Sequence, residues 1–588
     1  MSAAAAAMVA QGGAAAALAL GFALLAVRRM GASAAVCAAQ MMAVAVAALM
    51  KGNVPVAAAE VAEALALAWW AGAAVRRLPR GERRAIRAFG ADPGASFEPS
   101  GTIVIAAGAG LAALTFAVPG IGLALAVVLL GLLVLAGDRQ PERQVLGLAA
   151  AQSGLVLSAL AVGLSGWGLM VAVVPLLPVL AAAGLWLGTG RKRAAAVVEP
   201  RFAGWIDAAI CCAALLGAAT LPWQLGPGDY GMRLDARAAQ MILLLCTLAA
   251  AGSWGGLATR PVWGSRLAVL AGTVLAVAAV VPLLAWVGVA VAASGAVAAV
   301  LPARTEAWRR LRLACAGLAL ALFGAIALHA TPAAAAVAAG MLGYGSLAVL
   351  APELAVAAVS LILRLPAPPF LLLTTGLAAL AIGAAMSWLA ASPAHDRSGC
   401  DTATPRDRRG KMAGSRPAMT QGPAMTEGPV ATEGAVVAAG PVVTMSRVSC
   451  VGLAQGGVAV FAFGLGTPAG AFAGMLQLSL LALTQCAVLL SRADGLDRLA
   501  AVAGLGGIPP FGLFASLALV VAATAAAAPV LLLPLGVGLA AIAWGVLRRL
   551  PAGRRVCASP AWLPLALLLL CSFAMPASWL AWLRLAAR

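Results

Sequence analysis

Gly504–Phe514 reads GLGGIPPFGLF and sits inside an apolar run from Leu499 to about Ala527. Pro509 and Pro510 have no backbone N–H to donate, and each ring clashes with the turn before it. A helix entering this stretch is therefore broken or sharply kinked there. Carbonyls freed by such a break are tolerated in hydrocarbon only where protein or water satisfies them. The stretch thus predicts a broken helix buried against neighbours. Broken helices line ion paths in many transporters, and a kink kept only for packing gives the same sequence.

Working outward, the chain has 588 residues, of which 63% are hydrophobic and only 10% charged, with a mean hydropathy of +1.01. Soluble domains carry about 25% charged residues. The long, non-alternating apolar runs exclude a β-barrel. The fold class expected is all-α: a polytopic membrane helix bundle of roughly 18–20 spans at about 20 residues each. The net charge of +19 does not point to nucleic acid, because the Lys and Arg residues are parcelled into short loops. The lipid bilayer is the partner this composition implies. No cleavable signal peptide of the usual kind is expected, since the first apolar run lacks a basic start. Ten scattered cysteines without a C-x-x-C pair read as small buried hydrophobes, and His329 and His395 are too few for a multi-histidine centre. No cofactor or metal site is expected.

Residues 1–200 hold seven apolar runs, and the loops after runs one, three, five and seven are the basic ones. That alternation predicts an outside N-terminus. Residues 201–391 hold further spans. Residues 392–446 are rich in Pro, Gly, Thr and charge and are expected to be a disordered cytoplasmic linker. Residues 447–588 return to apolar runs and include the Pro509-Pro510 break. For the linker to share a side with the basic stretch Arg304–Arg312, read as a loop, the chain from Thr331 to Pro366 should cross twice.

Ionisable groups inside spans are the candidate proton or cation path, because a carboxylate at the bilayer centre costs about 2.5–3.5 kcal/mol on insertion scales. Glu60 and Glu63 lie three apart and share a helix face. They read either as a relay or as hydrated groups near the membrane surface. Glu353 follows Pro352, so it reads as an acid in the span or as the first turn of a helix, where the dipole favours it. Arg309 belongs to the Arg304–Arg312 cluster; it can anchor a carboxylate but stays protonated. Gln477 and Gln485 hydrogen-bond without titrating.

Several of these stretches resemble one family. GLGGIPPFGLF is similar to the G-x-PPFGLF segment of the proton-conducting antiporter-like membrane subunits of complex I, in particular their hydrogenase-4 and formate hydrogenlyase relatives. Phe463–Leu489 (FGLGTPAGAFAGMLQLSLLALTQCAVL) and Arg304–Gly324 (RTEAWRRLRLACAGLALALFG) resemble two further helices of that family. Arg143–Gly154 (RQVLGLAAAQSG) resembles the seven-helix component E of hydrogenase-4. The resemblance implies a component-E-like unit fused to a shortened component-F-like unit. It implies a membrane subunit of a redox-driven proton-translocating complex, partnered by membrane and redox subunits in the cell inner membrane, and at most a non-catalytic part of an NADH:quinone oxidoreductase-like or hydrogenase-like enzyme.

This chain departs from that family where protons would move. The family's two His fall on Gln477 and near Leu480–Leu481, its Lys on Gln485 and on Arg309, its Glu-Asn pair on Gln152 and Ser153, and a Glu after the broken helix near Ser516 and Leu517. A degenerate proton path with an assembly or anchoring role is one expectation. An active transporter using relocated acids, and an unrelated polytopic protein, are the others.

Overall fold

The computed structural model describes residues 3–27, 30–77, 108, 110, 121–137, 141–163, 236–255, 263–299, 304–330, 334–389, 440–491, 495–510, 513–548, 559–573 and 581. The apolar runs expected at 101–117 and 168–189, and most of the linker, lie outside these. The described chain is a polytopic helical membrane protein. Among the described residues seven helices contain windows long and apolar enough to cross a membrane, and nine more are shorter apolar helices.

The first group comprises α1 (Ala3–Ala26), α2 (Met30–Met50), α3 (Val54–Arg77), α4 (Gly122–Gly137) and α5 (Pro141–Val162). The second comprises α6 (Ala236–Gly255), α7 (Trp263–Ala278), α8 (Pro282–Ala298), α9 (Arg304–Ala330), α10 (Ala334–Leu347), α11 (Pro352–Ile362) and α12 (Pro369–Leu389). The third comprises α13 (Gly440–Gly464), α14 (Pro468–Leu490), α15 (Leu496–Leu505), α16 (Leu513–Ala527), α17 (Leu532–Leu547) and α18 (Trp562–Phe573). Helix α9 packs on both α4 and α5 and so joins the first group to the second; α14 packs on α6 and does the same for the third.

Lipid tails are as apolar as leucine, so burial of apolar surface does not drive these helices together; close backbone approach does. Sequence-adjacent helices use glycine reciprocally for it. A Cβ on Gly131 of α4 would lie 2.6 Å from the Gly147 carbonyl of α5, and one on Gly147 would lie 2.8 Å from that of Gly131. Gly272 and Gly288 join α7 to α8 in the same way, at 2.5 and 2.6 Å. Gly376 and Gly457 join α12 to α13, at 2.7 and 2.8 Å. Gly324 and Gly340 bring α9 and α10 into backbone contact. The fold is thus a series of tight helical hairpins.

Helix C-termini leave carbonyls without partners, and basic side chains from other helices reach them. Arg143 of α5 donates to Leu24 O and Val27 O at the end of α1, at 3.2 and 2.8 Å. Lys51 donates to Leu160 O in the last turn of α5 at 2.7 Å. Arg364 donates to Ala279 O beyond α7 at 2.7 Å, and Arg310 to Leu350 O before α11 at 3.3 Å. The last two mark opposite ends of α11. That helix is 11 residues long and buried except at Glu353. It is about 16 Å long, against about 30 Å of hydrocarbon.

Three sequence expectations are corrected. Arg304–Arg312 is not a loop but the start of α9. It holds no Gly or Pro, and Ala, Leu and Arg are strong helix formers. The linker ends earlier than residue 446, because α13 begins at Gly440 with Pro441 in its first turn, where proline is tolerated. The break near Pro509 is not made by the prolines alone. Helix α15 already ends at Leu505, closed by Gly507 at φ +75° with Gly507 N–H to Gly504 O at 3.0 Å and Ile508 N–H to Ala503 O at 3.1 Å. This is a Schellman cap, which needs a left-handed residue and so a glycine. The stretch 331–366 does hold two helices, α10 and α11, both short.

Candidate functional site

The candidate residues fall into three groups. In the first group of helices, α3 carries Glu60 and Glu63 one turn apart. Glu60 is only 2% exposed and Glu63 is half-buried. The burial of Glu60 counts against its reading as a hydrated surface group, whereas Glu63 keeps partial exposure. From α5, 89 residues away in sequence, Gln152 Nε2 donates to both oxygens of Glu63, at 3.0 and 2.8 Å. The Ser153 hydroxyl donates to Ala149 O at 3.4 Å, and the Cys37 thiol of α2 lies within electrostatic reach of both carboxylates. Cys37 itself donates to Leu146 O at 3.6 Å.

The second cluster surrounds the broken helix. Gln477 of α14 is fully buried, and its Nε2 donates to Gln455 Oε1 of α13 at 2.8 Å. Gln455 Nε2 donates to Leu505 O, the last residue of α15, at 3.2 Å. The Ser516 hydroxyl of α16 donates to Gln477 Oε1 and to Leu513 O. One neutral chain thus runs α15–α13–α14–α16, spanning both sides of the break. Two turns further along α14, Gln485 is buried, and its Nε2 lies 2.7 Å from where a Cβ on Gly452 would sit. Gln240 of α6 donates to Ser479 Oγ of α14 at 2.9 Å.

Glu353 forms the third group. It lies in the first turn of α11, as Pro352 predicts, with Arg266 of α7 and Cys486 of α14 in electrostatic reach. Arg309 lies in α9, and its side chain is outside the described set. Nothing in the described contacts joins the α3–α5 carboxylates to Glu353 or to the glutamines of α14. Among the described residues no three or more of His, Cys, Asp and Glu cluster as a metal site would require. Cys37, Cys246, Cys315, Cys450, Cys486 and Cys571 are free and buried.

Sequence reasoning missed Gln455, Ser516 as a bonding partner, and the pairing of Gln152 with Glu63. The available signal was an amide or hydroxyl inside an otherwise apolar span, which needs a partner across helices.

Chemically, the α13–α16 chain can bond and align helices but cannot release or accept a proton, since amides do not titrate. The α3–α5 cluster holds two carboxylates and can bind a proton or a cation.

No protein-family model matches the chain, and no curated protein matches it. Among solved structures it is similar to a chain of the Mrp complex from Dietzia sp. DQ12-45-1b, at 14% identity and a TM-score of 0.47, covering 72% of this chain and 97% of that one. It is similar to a chain of respiratory complex I from Thermus thermophilus with bound NADH, at 17% identity and 0.38, covering 71% and 98%. It is also similar to a chain of the membrane-bound sulfane sulfur reductase, an archaeal respiratory membrane complex, at 12% identity and 0.45, covering 72% and 97%.

Proposed function

We propose that this chain is a membrane subunit of a hydrogenase-4-like or complex-I-like redox-driven proton-translocating assembly, in which its C-terminal part has an assembly or anchoring role. In this reading residues 1–200 are a component-E-like unit and the remainder is a shortened antiporter-like unit. The chain is then a non-catalytic subunit that holds no redox cofactor and is partnered by membrane and redox subunits. The motifs Arg304–Gly324, Phe463–Leu489 and Gly504–Phe514 support the family. The observation that carries the role is the Gln455–Gln477–Ser516 chain, a neutral hydrogen-bonded link in which Gln477 and the Ser516 region fall where the resembled family carries titratable residues. The test is purification in mild detergent followed by reconstitution with a pH-sensitive dye. Co-purifying redox subunits and little proton flux from the isolated chain are expected. A stable, proton-conducting chain recovered alone would overturn the assembly role.

One observation favours a second reading, transport of protons or cations through relocated acids. Glu60 is buried, and one turn away Glu63 is half-buried and bonded by Gln152. In that case flux through the reconstituted chain is expected and is lost in Glu60→Gln and Glu63→Gln.

A further inference from the structure

Helix α3 carries one carboxyl at the edge of an open face. Val54, Ala58, Ala62, Leu65 and Trp69 form a single exposed stripe along it, with Val54, Leu65 and Trp69 at 59%, 67% and 68%. Glu63 is half-buried at the margin of that stripe. It lies nine residues beyond Val54, where α3 begins. That is about 13 Å from the helix start, against about 30 Å of hydrocarbon. Ionisable groups at such depth face protein or a water-filled cavity rather than lipid. On its buried side Glu63 meets α5, where Gln152 Nε2 donates to both of its oxygens. Its other side opens outward with the stripe.

The chain beyond α5 enters the membrane beside this face. Lys51, between α2 and α3, donates to Leu160 O in the last turn of α5 at 2.7 Å. Helix α5 therefore ends next to the start of α3. Gly168, six residues beyond Val162, opens the apolar run 168–189. Entering on that side, the run crosses parallel to α3. The earlier run, 101–117, goes elsewhere: a Cβ on its Gly108 would meet Leu130 of α4 and Leu25 and Phe22 of α1, at 2.9, 3.1 and 3.5 Å. The run 168–189 contains Pro175 and Pro178. In a helix each proline removes the N–H that would bond four residues back, freeing the carbonyls of Val171 and Val174. Hydrocarbon leaves such carbonyls without a donor. A neutral carboxyl has one O–H to donate. Val174 is six residues into the run and Glu63 nine into α3, so their depths agree to about one helical turn. Ala62 and Ala66, exposed and four apart beside Glu63, let a second backbone approach closely.

We propose that residues 168–189 pack parallel to α3 on the stripe beside Glu63, and that the Glu63 carboxyl donates to a carbonyl freed by Pro175 or Pro178. The stripe is then an interface within the chain and not a lipid-facing surface. This assumes neither reading of the function.

The test uses the full-length chain in native membranes. Ala62→Cys is combined with single cysteines placed in turn at each residue from 171 to 181. Ala62 is exposed, so its replacement leaves the core intact. Oxidative cross-links are assigned by mass spectrometry, which separates them from links at the native cysteines. Links to this run that recur every three or four positions are expected. Links instead to the next apolar run, 202–223, or to a second copy of the chain, would overturn the packing, and so would no link at any position. The bond is tested by a double-mutant cycle on the purified chain. Pro175→Ala with Pro178→Ala returns two N–H donors to the run. With Glu63 present the change should lower the unfolding temperature, because the carboxyl loses its acceptor. Combined with Glu63→Leu it should raise that temperature. Equal shifts in the two backgrounds would overturn the bond. If a cycle variant does not fold, the cross-linking pattern still decides the packing.

Discussion

Leu517 of α16 closes over Gly507 at the end of α15: its Cδ1 lies 2.5 Å from the point where a Cβ on Gly507 would sit. Gly507 is also left-handed, at φ +75°. Two separate costs therefore meet at one position. Gly507→Ala should lose about 1–2 kcal/mol from the left-handed conformation, plus the clash with Leu517. Leu517→Ala in the same chain should remove the clash and leave the backbone strain. Stabilities from reversible unfolding in mixed micelles should make the double variant less destabilised than the sum of the singles.

The hairpin glycines separate by what a methyl group would meet. Gly272→Ala puts a Cβ 2.5 Å from backbone atoms of Ala292 and Gly288, which cannot rotate away. That variant should lose most of its folded, monodisperse fraction on size exclusion. Gly12→Ala in α1 meets nothing within 4 Å. It should keep its stability or gain up to about 1 kcal/mol of helix propensity, read as an unchanged or slightly higher melting temperature.

In the chain around the break, Gln477→Leu leaves Gln455 Oε1 without its donor. The cost should be about 1–3 kcal/mol. Adding Gln455→Leu removes the orphan atom along with its partner, so the double variant should cost less than the two singles summed. Chemical unfolding of the three variants measures this. Additive losses would mean that the two amides act independently.

What could be read from the sequence was local. Glu353 at the start of a helix follows from Pro352 beside it. The break near Pro509 follows from residues within one short stretch, although Gly507, three residues before Pro510, is the residue that ends the helix. Spans follow from apolar runs. The pairing of Gln152 with Glu63 crosses 89 residues. It depends on how α3 and α5 are rotated about their axes, and Ala-rich helices with apolar residues on every side carry little record of that rotation. Gln455 was invisible for a related reason. A search for groups that titrate passes over an amide, yet an amide is what completes the neutral chain. The burial of Glu60 was likewise hidden, because its distance from Lys51 along the helix suggests a surface that the packing of α2 and α5 removes.

Leu517→Glu asks whether the interior beyond the break still accepts the acid that the resembled family carries there. Leu517 is 8% exposed and packs against Gly507, and its neighbour Ser516 is already committed to Gln477. The adjacent Ser516 hydroxyl and the Gln477 amide it bonds are already engaged with each other. A carboxylate placed here is desolvated without a partner, so its neutral form is favoured. The protonated carboxyl can donate one bond, to a spare lone pair of the Ser516 hydroxyl or of a glutamine oxygen, but that does not offset its desolvation and the lost packing of Leu517 on Gly507. The variant should therefore be less stable than the wild type, and reconstituted vesicles should show no gain in proton flux. Adding Gln477→His in the same chain supplies a titratable partner on α14. If the double variant recovers stability and conducts protons, the neutral chain is a substituted proton path whose geometry survives. If it recovers neither, the amides have become part of the packing of α13, α14 and α16, and the anchoring role stands.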